Sequence, residues 1–221
     1  MDKWFSPDAP LSQGLGRLAD LVMLNVVFLL TCLPLFTVGA AVTALYAVCY
    51  PMSQDREGKL FAAYFRAFRR NFAQGTVLWL LCLAFCGGNF ACVVLLRNQP
   101  GALGYLSVLF GVLFVVSLVA FGYVFPLLSQ FQNDSLTTLK NGLLLGLGYL
   151  PRSLIMAALN LFPWAMLLIM PQAFLGLGIL WFSLWFAGAA YINCLLLKKV
   201  FAPYFEKEAK KETAVTGPHT R

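Results

Sequence analysis

The side chains that could do chemistry in this sequence are few, and one set of them consists of neutral amides and a hydroxyl inside long apolar stretches. These residues are Asn25, Thr37, Asn89, Asn160 and Asn193. In lipid a polar side chain needs a hydrogen-bonding partner, which neighbouring helices can supply. We expect the asparagines to bond one another across a helical bundle. The alternative is that the five residues line a polar cavity for a small solute at the middle of the membrane.

Templates for catalysis and metal binding are not found in the sequence. The six cysteines all lie in apolar stretches, where thiols behave as small hydrophobic side chains. Cys82 and Cys86 share a helix face by spacing, but no histidine or carboxylate lies near them in sequence to complete a metal site. Zincin, nucleophile-elbow and phosphate-loop motifs are missing as well. We therefore expect a protein that is not an enzyme and that binds no cofactor or metal.

The second set of chemically active residues is basic and lies in the polar segment 55–72. The aromatic residues of this segment follow helical spacing and fall within one arc of about 100°. They are Phe61, Tyr64, Phe65, Phe68 and Phe72. Basic residues occupy an adjacent arc, namely Lys59, Arg66, Arg69 and Arg70. This pattern is typical of an amphipathic helix in the headgroup layer. It predicts either a docking surface for a cytoplasmic partner or anionic lipid, or an elbow helix that only leads into the next span.

The elements that position both sets follow from the composition. Of 221 residues, 60% are hydrophobic and only 11% are charged. Soluble domains carry about 25% charged residues, so a soluble enzyme is nearly excluded. Charged residues are missing from 21–54, 71–96, 98–133 and 153–197. Because a helix needs about 20 residues to cross the hydrocarbon core, these stretches predict an all-α polytopic bundle with five or six membrane segments and interfacial amphipathic helices.

The predicted segments form a single transmembrane domain over residues 1–205. Their approximate bounds are 11–33, 37–54, 76–96, 103–130, 153–170 and 173–197. Pro34 ends the first helix, Thr37 can cap the second, and Gly39 permits close packing. The competing interpretation makes residues 11–54 one kinked, tilted span. Residues 206–221 mix charges with Thr, Gly and Pro, which predicts a disordered cytoplasmic tail.

A further helix is predicted between the fourth and fifth spans. Asn133, Asp134 and Ser135 offer good capping chemistry for a helix that starts near Leu136. Gly142 and Gly146 have the spacing that lets two helices approach closely.

The distribution of basic residues predicts the orientation. With six segments, fifteen of the 16 lysines and arginines fall on one side and only Arg97 on the other; with five segments the division is thirteen to three. Since cytoplasmic loops carry the excess of lysine and arginine, both arrangements place the C-terminus in the cytoplasm, and six segments fit slightly better. The net charge of +7 then reflects this orientation and contact with anionic lipid, and not a nucleic-acid partner.

Several of these residues carry a resemblance to a known family. The motifs are Asn25, the run 33–40 (Leu-Pro-Leu-Phe-Thr-Val-Gly-Ala), the run 44–46, the segment 61–72 and, more loosely, Pro151-Arg152, Gly188, Tyr191 and 201–204. They resemble the YesL-like family of bacterial membrane proteins, which has no established biochemical activity. Its members are often encoded beside sugar ABC transporters and two-component sensors. The resemblance implies an accessory role in carbohydrate uptake or sensing in the bacterial inner membrane, with an ABC transporter or sensor kinase as partner, and it supplies no catalytic residues.

Two functions remain from the sequence. The leading one is a non-enzymatic accessory protein that docks through Lys59, Arg66, Arg69 and Arg70. The alternative is a small-solute transporter or permease with the polar cavity described above; the broken first segment favours it, but no internal repeat supports it.

Overall fold

A computed structural model describes residues 10–56 and 58–215 of the chain. The described residues are almost entirely helical and contain no strand. The helices are α1 (Pro10–Cys32), α2 (Val38–Met52), α3 (Leu60–Arg70), α4 (Phe72–Leu96), α5 (Ala102–Gln130), α6 (Ser135–Gly148), α7 (Leu150–Ile169), α8 (Pro171–Gly176), α9 (Gly178–Leu180) and α10 (Phe186–Val215). A 3₁₀ turn (Leu35–Thr37) precedes α2, and a π turn (Trp181–Trp185) joins α9 to α10.

Six helical stretches in the described part of the chain are long and apolar enough to cross a membrane. They are Gly14–Cys32, Leu35–Met52, Phe72–Leu96, Ala102–Gln130, Leu150–Ile169 and Gly178–Phe205. The predicted all-α membrane bundle is therefore confirmed, with six segments. The first apolar stretch forms α1 and α2. Near the start of α1, the Arg17 side chain forms an ion pair with Asp55, which follows the end of α2. Since the two distant ends meet, α1 and α2 form an antiparallel hairpin and not one kinked span.

The corner of this hairpin satisfies its own backbone groups. Pro34 has no N–H to donate, and the hydroxyl of Thr37 donates to the carbonyl oxygens of Thr31 and Pro34, each at 2.6 Å. The indole N–H of Trp79 on α4 donates to the carbonyl oxygen of Leu35 at 2.9 Å. The sequence predicts that the Thr37 side chain caps α2. It does not do so in the structure, and it closes the end of α1 instead.

The centre of the bundle is α2, which packs against α1, α3, α4, α5 and α10. Twelve of the 18 residues of the span Leu35–Met52 are buried, against two of the 25 residues of the span Phe72–Leu96. Gly39 on α2 lies against the backbone of Gly75 on α4, so the two helices cross with no side chain between them at that point. This close crossing fixes where α4 leaves the core.

The helix predicted after the fourth span is α6. The carboxylate of Asp134 accepts a hydrogen bond from the backbone N–H of Thr137 at 3.2 Å and caps the helix as predicted. Gly142 and Gly146 face α5, where added methyl groups would come within 2.8 Å of Val124 and Val119 respectively. The glycine spacing thus serves helix packing.

The C-terminal part departs most from the predicted segments. The predicted span 173–197 is built from α8, α9, the π turn and the first part of α10. Helix α10 continues to Val215 and so includes residues 206–215 of the predicted tail. Glu, Lys and Ala dominate 206–212 and favour helix once α10 has begun. Residues 216–221 lie outside the described residues.

Candidate functional site

The basic amphipathic helix of the sequence is α3, and one of its aromatic residues fixes it to the bundle. Tyr64 is fully buried, and its hydroxyl lies 2.6 Å from the hydroxyl of Thr31 on α1 and 3.5 Å from the carbonyl oxygen of Ala41 on α2. Phe68 is half-buried and stacks on Tyr64 with ring centroids 6.4 Å apart. The aromatic stripe is therefore divided, because its centre packs inward and anchors α3.

The outer part of α3 carries exposed aromatic and basic side chains together. Phe61 and Phe65 are each 46% exposed. Four basic residues are also exposed: Lys59, Arg66, Arg69 and Arg70. Arg70 donates to the carbonyl oxygen of Ser129 at the end of α5, at 3.5 Å. Among the described residues, no ion pair neutralises the other three, so α3 presents positive charge beside exposed phenyl rings.

Asn25, the first of the predicted membrane asparagines, bridges the π turn. Its amide nitrogen donates to the carbonyl oxygen of Phe182 at 2.8 Å, and its amide oxygen accepts from the N–H of Ala187 at 2.8 Å. These two backbone groups are five residues apart, the spacing that a π turn would join directly. The fully buried Asn25 therefore replaces one backbone bond and ties α1 to α10.

Asn160 and Asn193 are the two predicted cavity residues that meet each other. The amide nitrogen of Asn193 donates to the side-chain oxygen of Asn160 at 3.3 Å and to the hydroxyl of Tyr46 at 3.0 Å. Asn193 is fully buried, and its own amide oxygen has no hydrogen-bond partner. The structure thus assembles a polar cluster from Tyr46, Asn160 and Asn193 on α2, α7 and α10.

Asn89 and Thr37 lie apart from this cluster. The amide of Asn89 donates to the carbonyl oxygen of Phe85 on its own helix at 2.7 Å, and Thr37 closes the hairpin corner. With Asn25 at the π turn, the structure brings together only two of the five residues that the sequence places in one polar cavity.

A cavity of about 300 Å³ lies beside the polar cluster. Asn160 and Tyr46 line one part of it, and Ser153 and Tyr123 line another, with their hydroxyls 3.2 Å apart. The remaining wall is aromatic and aliphatic and includes Phe28, Trp79, Phe121 and Trp164. The sequence analysis missed Tyr46, Tyr123 and Ser153, since a single hydroxyl in an apolar helix carries no periodic signal that separates a cavity wall from a packed core.

The cysteines add no metal site to this cavity. Cys82 lines it, and its sulfur lies 4.0 Å from that of Cys86. No group of three or more His, Cys, Asp or Glu side chains occurs in the part of the chain that the structure describes.

Charged side chains gather at the end of the bundle where α1 begins and α2 ends. Arg17, Asp20 and Arg56 line a smaller pocket of about 180 Å³, bounded on another side by the start of α3. Lys198 on α10 donates to the carbonyl oxygen of Ser53 at the same end.

Asp134, near the end of α5, is exposed, and hydrogen bonds from Thr137 hold its pKa below the ordinary carboxyl value.

Comparison with known proteins gives one match. Residues 21–91 match the family model described as a protein of unknown function, DUF624. The matched region spans the second half of α1, all of α2 and α3, and most of α4, so it includes Asn25, the hairpin corner, Tyr46 and the basic helix. No curated protein matches the chain, and no solved structure does. The match thus falls on the part of the molecule that holds α3 and one wall of the cavity.

Proposed function

We propose that this chain is a YesL-like, non-enzymatic accessory protein of the bacterial inner membrane, which docks a cytoplasmic partner through α3. The observation that supports docking is a buried anchor beside basic side chains that form no ion pair with any of the described residues. Tyr64 holds α3 in place, and Lys59, Arg66 and Arg69 are exposed beside Phe61 and Phe65. A pre-ordered surface loses little conformational entropy when it binds, which favours a specific partner.

The orientation that docking requires is supported by the position of the charges. Arg17, Arg56 and Lys198 gather at one end of the bundle, whereas Arg97 follows the far end of α4. By the positive-inside rule we expect the basic end, and with it the C-terminal end of α10, to face the cytoplasm. Anionic headgroups then lie next to α3, where each basic residue contributes about 1 kcal/mol of attraction to the surface.

The nature of the partner rests on the resemblance and not on geometry. We propose a component of a carbohydrate uptake or sensing system, either an ABC transporter or a sensor kinase, with an acidic surface that complements α3. Charge complementarity of this kind sets the association rate and the specificity of docking more than its affinity.

Charge reversal on α3 tests the proposal. The double variant R66E/R69E should reduce the amount of partner that co-purifies from native membranes at least about tenfold, since repulsion replaces attraction at the interface. A matched control is K140E/K199E, which changes net charge equally at exposed positions of α6 and α10. Quantitative mass spectrometry of cross-linked, affinity-purified samples gives the readout, normalised to expression. Unchanged co-purification of the partner with R66E/R69E would show that α3 is only an elbow.

The alternative, a small-solute transporter or permease, has narrower support. It rests on the cavity beside Asn160, because Asn25, Thr37 and Asn89 have structural partners elsewhere.

A further inference from the structure

We propose that the cavity between α2, α4, α5 and α7 binds an uncharged amphiphile, with an apolar body and a hydroxyl or carbonyl group that bonds to Tyr46 and Asn160. The site is independent of α3, since none of Lys59, Arg66, Arg69 or Arg70 lines it. This cavity lies among the membrane-spanning helices, whereas the proposed docking surface on α3 lies outside the membrane.

The absence of charge among the described lining residues selects the class of ligand. All of them are apolar, aromatic, hydroxyl, thiol or amide side chains, apart from one glycine. An ionised ligand would lose its hydration here and gain no opposite charge, which costs far more than moving a neutral hydroxyl. A purely apolar ligand would offer no acceptor to the donor hydrogens of Tyr46 and Asn160 that remain after their bonds to Asn193. The lining therefore suits a molecule that is mostly apolar and carries one or two neutral polar groups.

The hydrogen bonds of the polar cluster show where the polar group of the ligand belongs. Asn193 donates to both Tyr46 and Asn160. After these bonds at least one hydrogen of the Tyr46 hydroxyl and Asn160 amide pair remains for donation to a ligand. A hydroxyl or carbonyl oxygen between Tyr46 and Asn160 would accept such a hydrogen bond. Asn193 does not line the cavity and acts as a positioning residue that orients the other two.

The size and rigidity of the cavity are consistent with a ligand site. Its volume of about 300 Å³ is at the lower end of the range of ligand pockets, which begins near 300 Å³. Trp79 is held in place by its bond to the carbonyl oxygen of Leu35, so one aromatic wall is fixed before binding. Trp164 lines the same cavity and gives a second indole within reach of a bound molecule.

Tryptophan quenching in detergent micelles tests the proposal with three brominated probes of equal chain length. These are a monoacylglycerol, the corresponding alkane and the free fatty acid at pH 9. The monoacylglycerol should quench saturably, and the alkane, which has no oxygen to accept a hydrogen bond, and the ionised acid should need at least about tenfold higher concentrations. The variants N160L and Y46F should each weaken monoacylglycerol binding about tenfold, the effect of losing one hydrogen bond.

Two controls separate binding from folding and from the docking proposal. N89L makes the same substitution at a residue that bonds only within its own helix, and it should retain wild-type quenching. The pair R66E/R69E should also retain it, so failure of the docking proposal leaves this one standing. Melting temperatures of N160L and Y46F within a few degrees of wild type show that the fold is intact. Equal quenching by alkane and monoacylglycerol, or quenching unchanged by N160L and Y46F, would show that ordinary apolar chains fill the cavity.

Discussion

The crossing of α2 and α4 makes Gly39 the position where a single methyl group should do the most damage. A Cβ atom added to Gly39 would lie 2.6 Å from the Cβ of Trp79 and closer still to the carbonyl oxygen of Gly75. Neither atom can turn away by side-chain rotation, because one belongs to the backbone and the other is attached directly to it. The two helices must therefore separate to admit Gly39→Ala.

The expected cost follows from three contributions. Overpacking of this kind destabilises by about 1–3 kcal/mol. Separation of the helices also stretches the bond from Trp79 to Leu35, a loss of about 0.5–1.5 kcal/mol. Alanine returns about 0.5–1 kcal/mol because it is a better helix former than glycine. We expect Gly39→Ala to lower the free energy of unfolding by about 0.5–4 kcal/mol, with the steric contribution deciding the sign.

Gly87 supplies the matched control, since it also lies inside a helix but a Cβ there would meet nothing within 4 Å. Gly87→Ala should leave stability unchanged or raise it slightly. Both variants are measured by thermal unfolding in the same detergent, followed by tryptophan fluorescence and by helical circular dichroism. If Gly39→Ala and Gly87→Ala melt at the same temperature, the close crossing of α2 and α4 is wrong.

Three further predictions concern polar groups. Asn25→Leu removes the partner of the Phe182 carbonyl oxygen and of the buried Ala187 N–H and should cost about 1–3 kcal/mol, whereas Asn89→Leu should change the melting temperature little. Arg97→Cys should react with an impermeant maleimide in intact cells, and Arg56→Cys only after permeabilisation; the reverse result would invert the topology. Because its folded-state pKa is lowered, the Asp134 carboxylate should protect the start of α6 from hydrogen exchange at neutral pH, and this protection should fall as pH drops through that pKa; Asp134→Asn should remove this pH dependence.

The lengths of the charge-free stretches predicted most of the fold because the bilayer imposes a length on every crossing helix. The start of α6 was also accessible to sequence reasoning, since the carboxylate of Asp134 caps a helix through local contacts alone. The antiparallel hairpin of α1 and α2 was favoured by the position of Pro34. Local chemistry and membrane thickness were sufficient for each of these features.

The partners of the asparagines could not be predicted in the same way. Asn25 and Asn193 both lie in apolar helices, yet one completes a π turn and the other orients a cavity wall. The difference depends on which backbone or side chain α10 brings opposite each amide, and that is decided by packing between distant helices. Tyr46 was missed for the same reason, because its hydroxyl gains a role only where α2, α7 and α10 meet.

The central helix α2 connects the two proposed sites, and this connection separates their tests. Tyr64 anchors α3 against α2, and Tyr46 on α2 forms part of the cavity wall. Displacement of α2 by Gly39→Ala should therefore weaken both partner docking and monoacylglycerol quenching. By contrast, R66E/R69E should affect docking alone and N160L should affect quenching alone. If R66E/R69E or N160L abolished both docking and quenching, the two sites would be coupled through α2.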